Sequence, residues 1–272
     1  MVMKIKLRGL SYDYVLSQGQ SKTTWLLLHG FTGTKNTFRQ ILPVLEEDTV
    51  LTLDLLGHGN TTSQADLSRY AIEEQCKDLA ELLDQLGIPK VSLLGYSMGG
   101  RLALAFTLRY PERVEQLVLE SSSPGLKTQD ERQLRQLQDQ TLANKLMEQG
   151  LVSFVNDWED LALFSSQKKL PVATQEAIRK ERLSQDEEGL QKSLLGMGTG
   201  SQPSYWNQLS TISCPVFLFV GALDTKFCQL AAQINPHLKK GSIITFSEVG
   251  HAIHLEAPVE FSGALKNLDN RR

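Results

Sequence analysis

A chain of 272 residues with 41% apolar side chains, 20 glycines and 9 prolines is not disordered, collagen-like or a small stapled scaffold. At this size one core hides roughly three quarters of the unfolded surface. Its 28 Lys and Arg against 31 Asp and Glu leave a net charge of −3, so no general field exists to hold nucleic acid or an anionic membrane.

Cys76, Cys214 and Cys228 are odd in number and lack C-x-x-C spacing, which argues against a disulfide framework or a structural zinc and for a reducing compartment. Near the start, Lys4, Lys6 and Arg8 interrupt the apolar residues, and no apolar run approaches the ~18 residues of a membrane span. The expectation is a cytoplasmic chain with no membrane insertion and no nucleic-acid partner.

In chain order, Lys4–Leu10 and Tyr12–Leu16 alternate apolar and polar residues around Gly9, which predicts an antiparallel pair at a sheet edge. Trp25–Leu28, Val50–Asp54, Val91–Gly95, Val114–Glu120, Val216–Val220 and Ser242–Phe246 lose that alternation and read as parallel strands buried on both faces. Helical spacing falls between them at Asn36–Leu45, Ile72–Leu86, Met98–Tyr110 and Lys226–His237, with a last helix near Pro258–Leu268. From Ser121 to about Leu209 the pattern is helical only: Gln129–Glu148, Leu151–Phe164, Thr174–Leu183 and Glu187–Leu195. Such an interval between two strands of one sheet predicts a helical cap over the strands' carboxyl ends. The expected organisation is a core of residues 1–120 and 210–272, with a cap of residues 121–209 inserted in it as part of one compact unit.

Gly95-Tyr96-Ser97-Met98-Gly99 follows the run Val91–Leu94 directly and opens a helix-period segment, the strand-turn-helix setting of a nucleophile elbow. A serine hydroxyl needs a histidine to take its proton, and that histidine needs an acid to fix its tautomer. Downstream, Asp224 ends the strand around Val216–Val220, and His251 follows Gly250 just after Ser242–Phe246. Ser97, Asp224 and His251 are therefore the candidate catalytic triad, each at the carboxyl end of its own strand. His254, three residues past His251, is a competing base. Asp54 and His58, in Asp54-Leu55-Leu56-Gly57-His58-Gly59, read as turn-fixing residues, and His29 as the organiser of the loop it begins. In that loop the backbone N–H of Phe31 is placed to join that of Met98 in an oxyanion hole. Gly196-Met197-Gly198-Thr199-Gly200 follows helical pattern rather than a strand and is no dinucleotide fingerprint.

Together these elements resemble the α/β-hydrolase superfamily over essentially the whole chain. The implied fold is α/β: a mostly parallel sheet with N-terminal antiparallel edge strands and an inserted helical cap. The scaffold alone fixes no reaction. The match is closer to one family within it, the 2-succinyl-6-hydroxy-2,4-cyclohexadiene-1-carboxylate synthases of menaquinone biosynthesis. It is carried by Gly95 through Arg101, by Ser123-Pro124-Gly125-Leu126 with the helix bearing Arg132, Arg135 and Asp139, and by Gly196 through Gly200 with Gln202-Pro203. The last matching passages are Asp224-Thr225-Lys226-Phe227 and Gly250-His251-Ala252-Ile253-His254-Leu255-Glu256. Leu56 departs from the pattern, standing where such turns usually carry proline.

The resemblance implies a lyase that eliminates pyruvate from a small polycarboxylate, with Ser97 as base and no metal or organic cofactor. By motif position it makes Arg135 and Arg182 carboxylate-binding arginines of the cap, and Tyr96 and Trp158 aromatic substrate contacts. It adds Arg101, one helical turn beyond Ser97, because guanidinium binds carboxylate bidentately and stays charged. The same triad also suits a carboxylesterase or carbon–carbon bond hydrolase, which favours an apolar pocket. A non-catalytic receptor on this scaffold is the third class.

Overall fold

The computed structural model describes residues 2–268. Eight strands form one sheet: β1 (Val2–Leu7), β2 (Leu10–Ser17), β3 (Thr24–Leu28), β4 (Thr49–Leu53), β5 (Val91–Tyr96), β6 (Val114–Glu120), β7 (Val216–Gly221) and β8 (Gly241–Phe246). Their order is β1-β2-β4-β3-β5-β6-β7-β8, antiparallel from β1 through β2 to β4 and parallel elsewhere. A two-residue turn at Arg8 and Gly9, both at positive φ, closes the β1–β2 hairpin. Because β4 lies on one side of β3 and β5 on the other, the chain reverses its direction of progress across the sheet there. Ligands of open α/β sheets bind beyond the strand ends at such a reversal.

The helices are α1 (Ile72–Gln85), α2 (Met98–Arg109), α3 (Gln129–Glu159), α4 (Val172–Arg182), α5 (Glu187–Met197), α6 (Thr225–Ile234), α7 (Ile253–Glu256) and α8 (Pro258–Lys266). Buried Ile72, Cys76, Leu79, Leu82 and Leu83 recur at helical spacing along α1 and set its sheet-facing side. One apolar cluster joins α1 and α2 to one face of the sheet; a second packs Trp25, Phe217 and Phe219 of the sheet against Phe261 of α8.

Between β6 and β7 the described residues contain helices and no strand. At the start of α3 the Thr128 hydroxyl accepts from the Glu131 N–H (3.1 Å), while the Glu131 carboxylate accepts from the Thr128 N–H (2.8 Å). This reciprocal cap satisfies donors that a helix start leaves open. The expected break between Gln129–Glu148 and Leu151–Phe164 falls at Gly150, whose φ of 79° and ψ of 167° interrupt α3.

Four expectations are corrected. Asn36–Leu45 is a series of turns ending in a 3-10 helix at Leu42–Leu45. Thr37 Oγ1 accepts from the Thr34 N–H (3.1 Å) and Thr34 Oγ1 from the Asn36 N–H (3.2 Å), so side chains compete for the bonds a helix would use. Pro43 supplies no N–H at all. The second half of α3 stops at Glu159, and Ala162–Lys169 winds as a 3-10 helix. The helix after Asp224 ends at Ile234, with Asn235–His237 continuing as a 3-10 turn that contains Pro236. Finally, β8 is the sheet's other edge, with Ile243 exposed, rather than a strand buried on both faces.

Candidate active site

Ser97 stands between β5 and α2 with φ 50° and ψ −104°, a left-handed turn that costs an L-residue energy and persists only where its surroundings enforce it. Its N–H donates to the Glu120 carbonyl (2.9 Å), and its own carbonyl accepts from the Ser122 hydroxyl (2.9 Å) and the Arg101 N–H (3.1 Å). Gly99 is required by proximity, since a Cβ there would run into the carbonyl oxygen of Leu28 and lie 2.5 Å from that of His29. The elbow thus sits directly against the end of β3.

The half-buried Ser97 hydroxyl lies 3.1 Å from His251 Nε2, and His251 Nδ1 lies 2.7 Å from Asp224 Oδ2. With the proton on Nδ1 donated to Asp224, Nε2 is left as the acceptor for the serine hydroxyl. Asp224 and His251 are buried, and Asp224 also caps α6 by accepting from the Phe227 N–H (3.2 Å). The imidazole is flanked by the rings of Phe227 (4.8 Å between centroids), Tyr96 (5.4 Å) and Phe164 (6.0 Å).

A cavity of about 260 Å³ opens at Ser97 and His251, walled by Phe31, Met98, Tyr96 and Trp158 among others. Among the described residues neither the Phe31 nor the Met98 N–H donates to a protein acceptor. Met98 opens α2, where the first N–H groups of a helix have no partner of their own. Two N–H groups without an acceptor, on residues that line the same cavity as the serine, can hold an oxyanion. Burial, and then Glu120, push the Tyr96 phenol well above its ordinary range, so it stays protonated. Trp158 stacks on Phe154 (5.6 Å) and meets Phe31 edge-on (5.2 Å), acting as cavity wall and packing anchor together.

Two of the three expected arginines reach this cavity. Arg101 is buried, and its Nη1 donates to the Met197 carbonyl and to Gln202 Oε1, both at 2.8 Å. Among the described residues Nε and Nη2 have no partner, so one edge of the guanidinium is anchored and the rest is left for a ligand. The Gly196–Gln202 segment is thereby explained as the arginine's support. Burial, and then Arg135, lower the Arg101 pKa to about 10, which keeps it charged at neutral pH. Arg135 is partly exposed and pairs through Nε with Asp139 (2.7 Å). Arg182 does not line the cavity. Its Nη2 donates to Gln167 (3.0 Å), its Nη1 faces Glu159 (3.3 Å), and its guanidinium covers the Phe164 ring at 4.9 Å.

His254, the competing base, is held elsewhere. Its Nδ1 faces the Glu120 carboxylate (2.8 and 2.9 Å) and its N–H donates to the same group (3.0 Å), all buried. Glu120 is the residue that sequence reasoning missed, although an acid closing the apolar run Leu117–Leu119 was its visible signal. His29 accepts from the Leu55 N–H at Nε2 (2.9 Å) and donates from Nδ1 to the Gly30 carbonyl (2.7 Å). Burial lowers its pKa to about 4, so it is neutral and structural. The His58 pKa falls to about 3 for the same reason. Asp54 accepts from the backbone N–H groups of Lys35 (2.7 Å) and Asn60 (2.9 Å) and pairs with the Lys35 ammonium (2.7 Å), fixing both loops. Among the described residues no group of three His, Cys, Asp or Glu side chains is arranged to hold a metal ion.

The alpha/beta hydrolase fold family matches residues 24–258. A putative 2-succinyl-6-hydroxy-2,4-cyclohexadiene-1-carboxylate synthase of Bacillus subtilis (strain 168) is 45% identical over 250 residues, covering 92% of this chain and 91% of its own. The synthase of that name from Serratia proteamaculans (strain 568) is 29% identical over 255 residues, covering 93% of this chain and 96% of its own. Among solved structures, MenH from S. aureus superposes with a TM-score of 0.90 at 34% identity, over 95% of this chain and 98% of that one.

Proposed function

The chain belongs to the α/β-hydrolase fold family and, within it, to the 2-succinyl-6-hydroxy-2,4-cyclohexadiene-1-carboxylate synthases, and we propose that Ser97, His251 and Asp224 carry its elimination of pyruvate. The reaction converts 2-succinyl-5-enolpyruvyl-6-hydroxy-3-cyclohexene-1-carboxylate into the cyclohexadiene product named by the family. No water enters the bond change.

Ser97, its proton drawn off by His251, takes the ring proton beside the succinyl carbonyl. The electron pair moves through the ring double bond and expels the enolpyruvyl oxygen as the enolate of pyruvate, which takes up the proton held by His251. Charge that develops on the succinyl oxygen is held by the N–H groups of Phe31 and Met98. Asp224 keeps the imidazole in the tautomer that accepts from serine. Arg101 and Arg135 bind the substrate's carboxylates, and residues 121–209 act as the cap that brings Arg135 and Trp158 over the ring.

The observation that supports this reading most is the pairing of a serine–histidine–aspartate chain with two guanidiniums in one cavity. An esterase acting on apolar acyl groups has no use for the second feature. With enzymatically generated precursor, the protein is expected to release pyruvate, and Ser97→Ala to lower kcat by at least ~10³-fold with an unchanged circular-dichroism spectrum. Retention of most activity by Ser97→Ala would sink the base assignment. Rapid turnover of p-nitrophenyl acetate without pyruvate release would overturn the reading as a whole.

A further inference from the structure

The substrate named above carries three carboxylates, on the ring, the succinyl arm and the enolpyruvyl group. Two cavity guanidiniums answer two of them. Arg182, the arginine expected to answer the third, is turned toward Glu159 and Gln167 and away from the cavity.

A different cation lines the cavity. Lys226 borders the cavity together with Ser97, Arg101 and Arg135. It lies in the first turn of α6, two residues after Asp224, where the helix end carries partial positive charge and disfavours an ammonium. Among the described residues no carboxylate pairs with it, and its ammonium stands over the Phe227 ring, 5.6 Å from the centroid. An unpaired lysine is ordinary on an open surface. Here it adds a third positive charge to a cavity that already holds two, at a helix end that opposes it. Local rules broken together in this way mark a site whose charge is completed by a ligand. The Phe227 ring beneath the ammonium also packs on the imidazole of His251, 4.8 Å between centroids, so the cation is tied to the reacting side of the cavity.

We propose that Lys226 is a third carboxylate-binding residue, fixing one of the substrate's three anionic groups in the role expected of Arg182. The proposal rests on the polycarboxylate reading of the site. A lysine there acts as a mobile point charge rather than a fork, so it tolerates a carboxylate that shifts as the leaving group departs. Because it is exposed, its attraction is screened by salt, and this distinguishes it from the buried Arg101.

The test is steady-state pyruvate release by the full chain as Lys226→Met and Lys226→Arg, at low and high ionic strength. Lys226→Met is expected to raise KM about tenfold with kcat within about twofold, and to weaken the fall of kcat/KM with salt. Its thermal midpoint should match the parent's. Lys226→Arg should restore both KM and the salt response. A parental KM and salt dependence in Lys226→Met, alongside a parent that releases pyruvate, would overturn the proposal and leave the reaction intact. A parent that releases no pyruvate would remove both.

Discussion

The carboxyl edge of the sheet and the helices inserted between β6 and β7 hold their functional side chains by different means. At the sheet edge the anchors are backbone groups or buried ions. Ser97 is bonded to the carbonyl of Glu120, the carboxylate of Glu120 holds His254, and His251 lies between Asp224 and Ser97. In the insertion the anchors are side chains of opposite charge: Arg135 leans on Asp139 of its own helix, and Arg182 shares Glu159 with Arg179. The two arrangements suit the two tasks proposed for them. Proton transfer fails if a donor drifts by an ångström, so it demands fixed groups. Carboxylate binding needs charges that can exchange one oxyanion for another.

Adding one methyl group to each region tests the difference most severely. In Gly99→Ala the new Cβ meets the Leu28 carbonyl, and neither backbone can withdraw without moving the elbow or β3. We expect a loss of about 3 kcal/mol, seen as a fall of roughly 6–12 °C in the thermal midpoint, together with a collapse of kcat. In Gly150→Ala the nearest atom to the new Cβ is Glu187 Oε1 at 3.5 Å, leaving only the strain of a φ of 79°. That change should cost about 1 kcal/mol and spare kcat. Equal losses in both variants would break the contrast.

The arginines sharpen it at the next level. Arg101→Met removes a buried charge whose free edge faces the cavity, and KM should rise about 100-fold, the worth of a lost charge-assisted contact. Arg182→Met removes a charge committed to Glu159 and Gln167, and strands the buried Gln167 carbonyl oxygen without its donor. Its signature should lie in stability, about 1–2 kcal/mol by thermal unfolding, with KM changing less than about threefold. A KM effect in Arg182→Met as large as that of Arg101→Met would show that Arg182 turns into the cavity when substrate binds.

The same difference governs how far the sequence could be read. The interior strands and the elbow were legible because unbroken apolar runs and a glycine-flanked serine have few structural alternatives. Ser97, Asp224 and His251 were then candidates because each follows a strand, in the chain order expected of the fold, with His254 left as a competing base. Asn36–Leu45 misled because its apolar spacing fits a helix, while the competing bonds of Thr34 and Thr37 are not periodic. Glu120 and His254 are 134 residues apart, and only the strand order brings them together. In the insertion, sequence gave the helices but not which way each arginine points. Arg182 and Lys226 could not be ranked until the acid partner of one and the isolation of the other were visible.

One of the bond networks that join the two regions carries the smallest effect. Oε1 of Glu181, on α4, accepts from the Thr34 N–H (2.9 Å), the Thr34 hydroxyl (2.6 Å) and the Thr37 hydroxyl (3.0 Å). One turn on, Gln185 Nε2 donates to the carbonyls of Thr32 (3.1 Å) and Gly33 (3.3 Å). These bonds hold the loop after β3, whose Phe31 N–H is the proposed oxyanion donor and whose Thr32 is forced to a φ of 67°. In Glu181→Ala the hydroxyls of Thr34 and Thr37 lose their acceptor and the loop relaxes, while no group that touches substrate is altered. Stability should fall by about 1 kcal/mol. If the network also aims Phe31, kcat should drop about fivefold with KM within twofold, since the oxyanion is held only as charge develops. A lower thermal midpoint with an unchanged kcat would make Glu181 a fastener between insertion and sheet and nothing more.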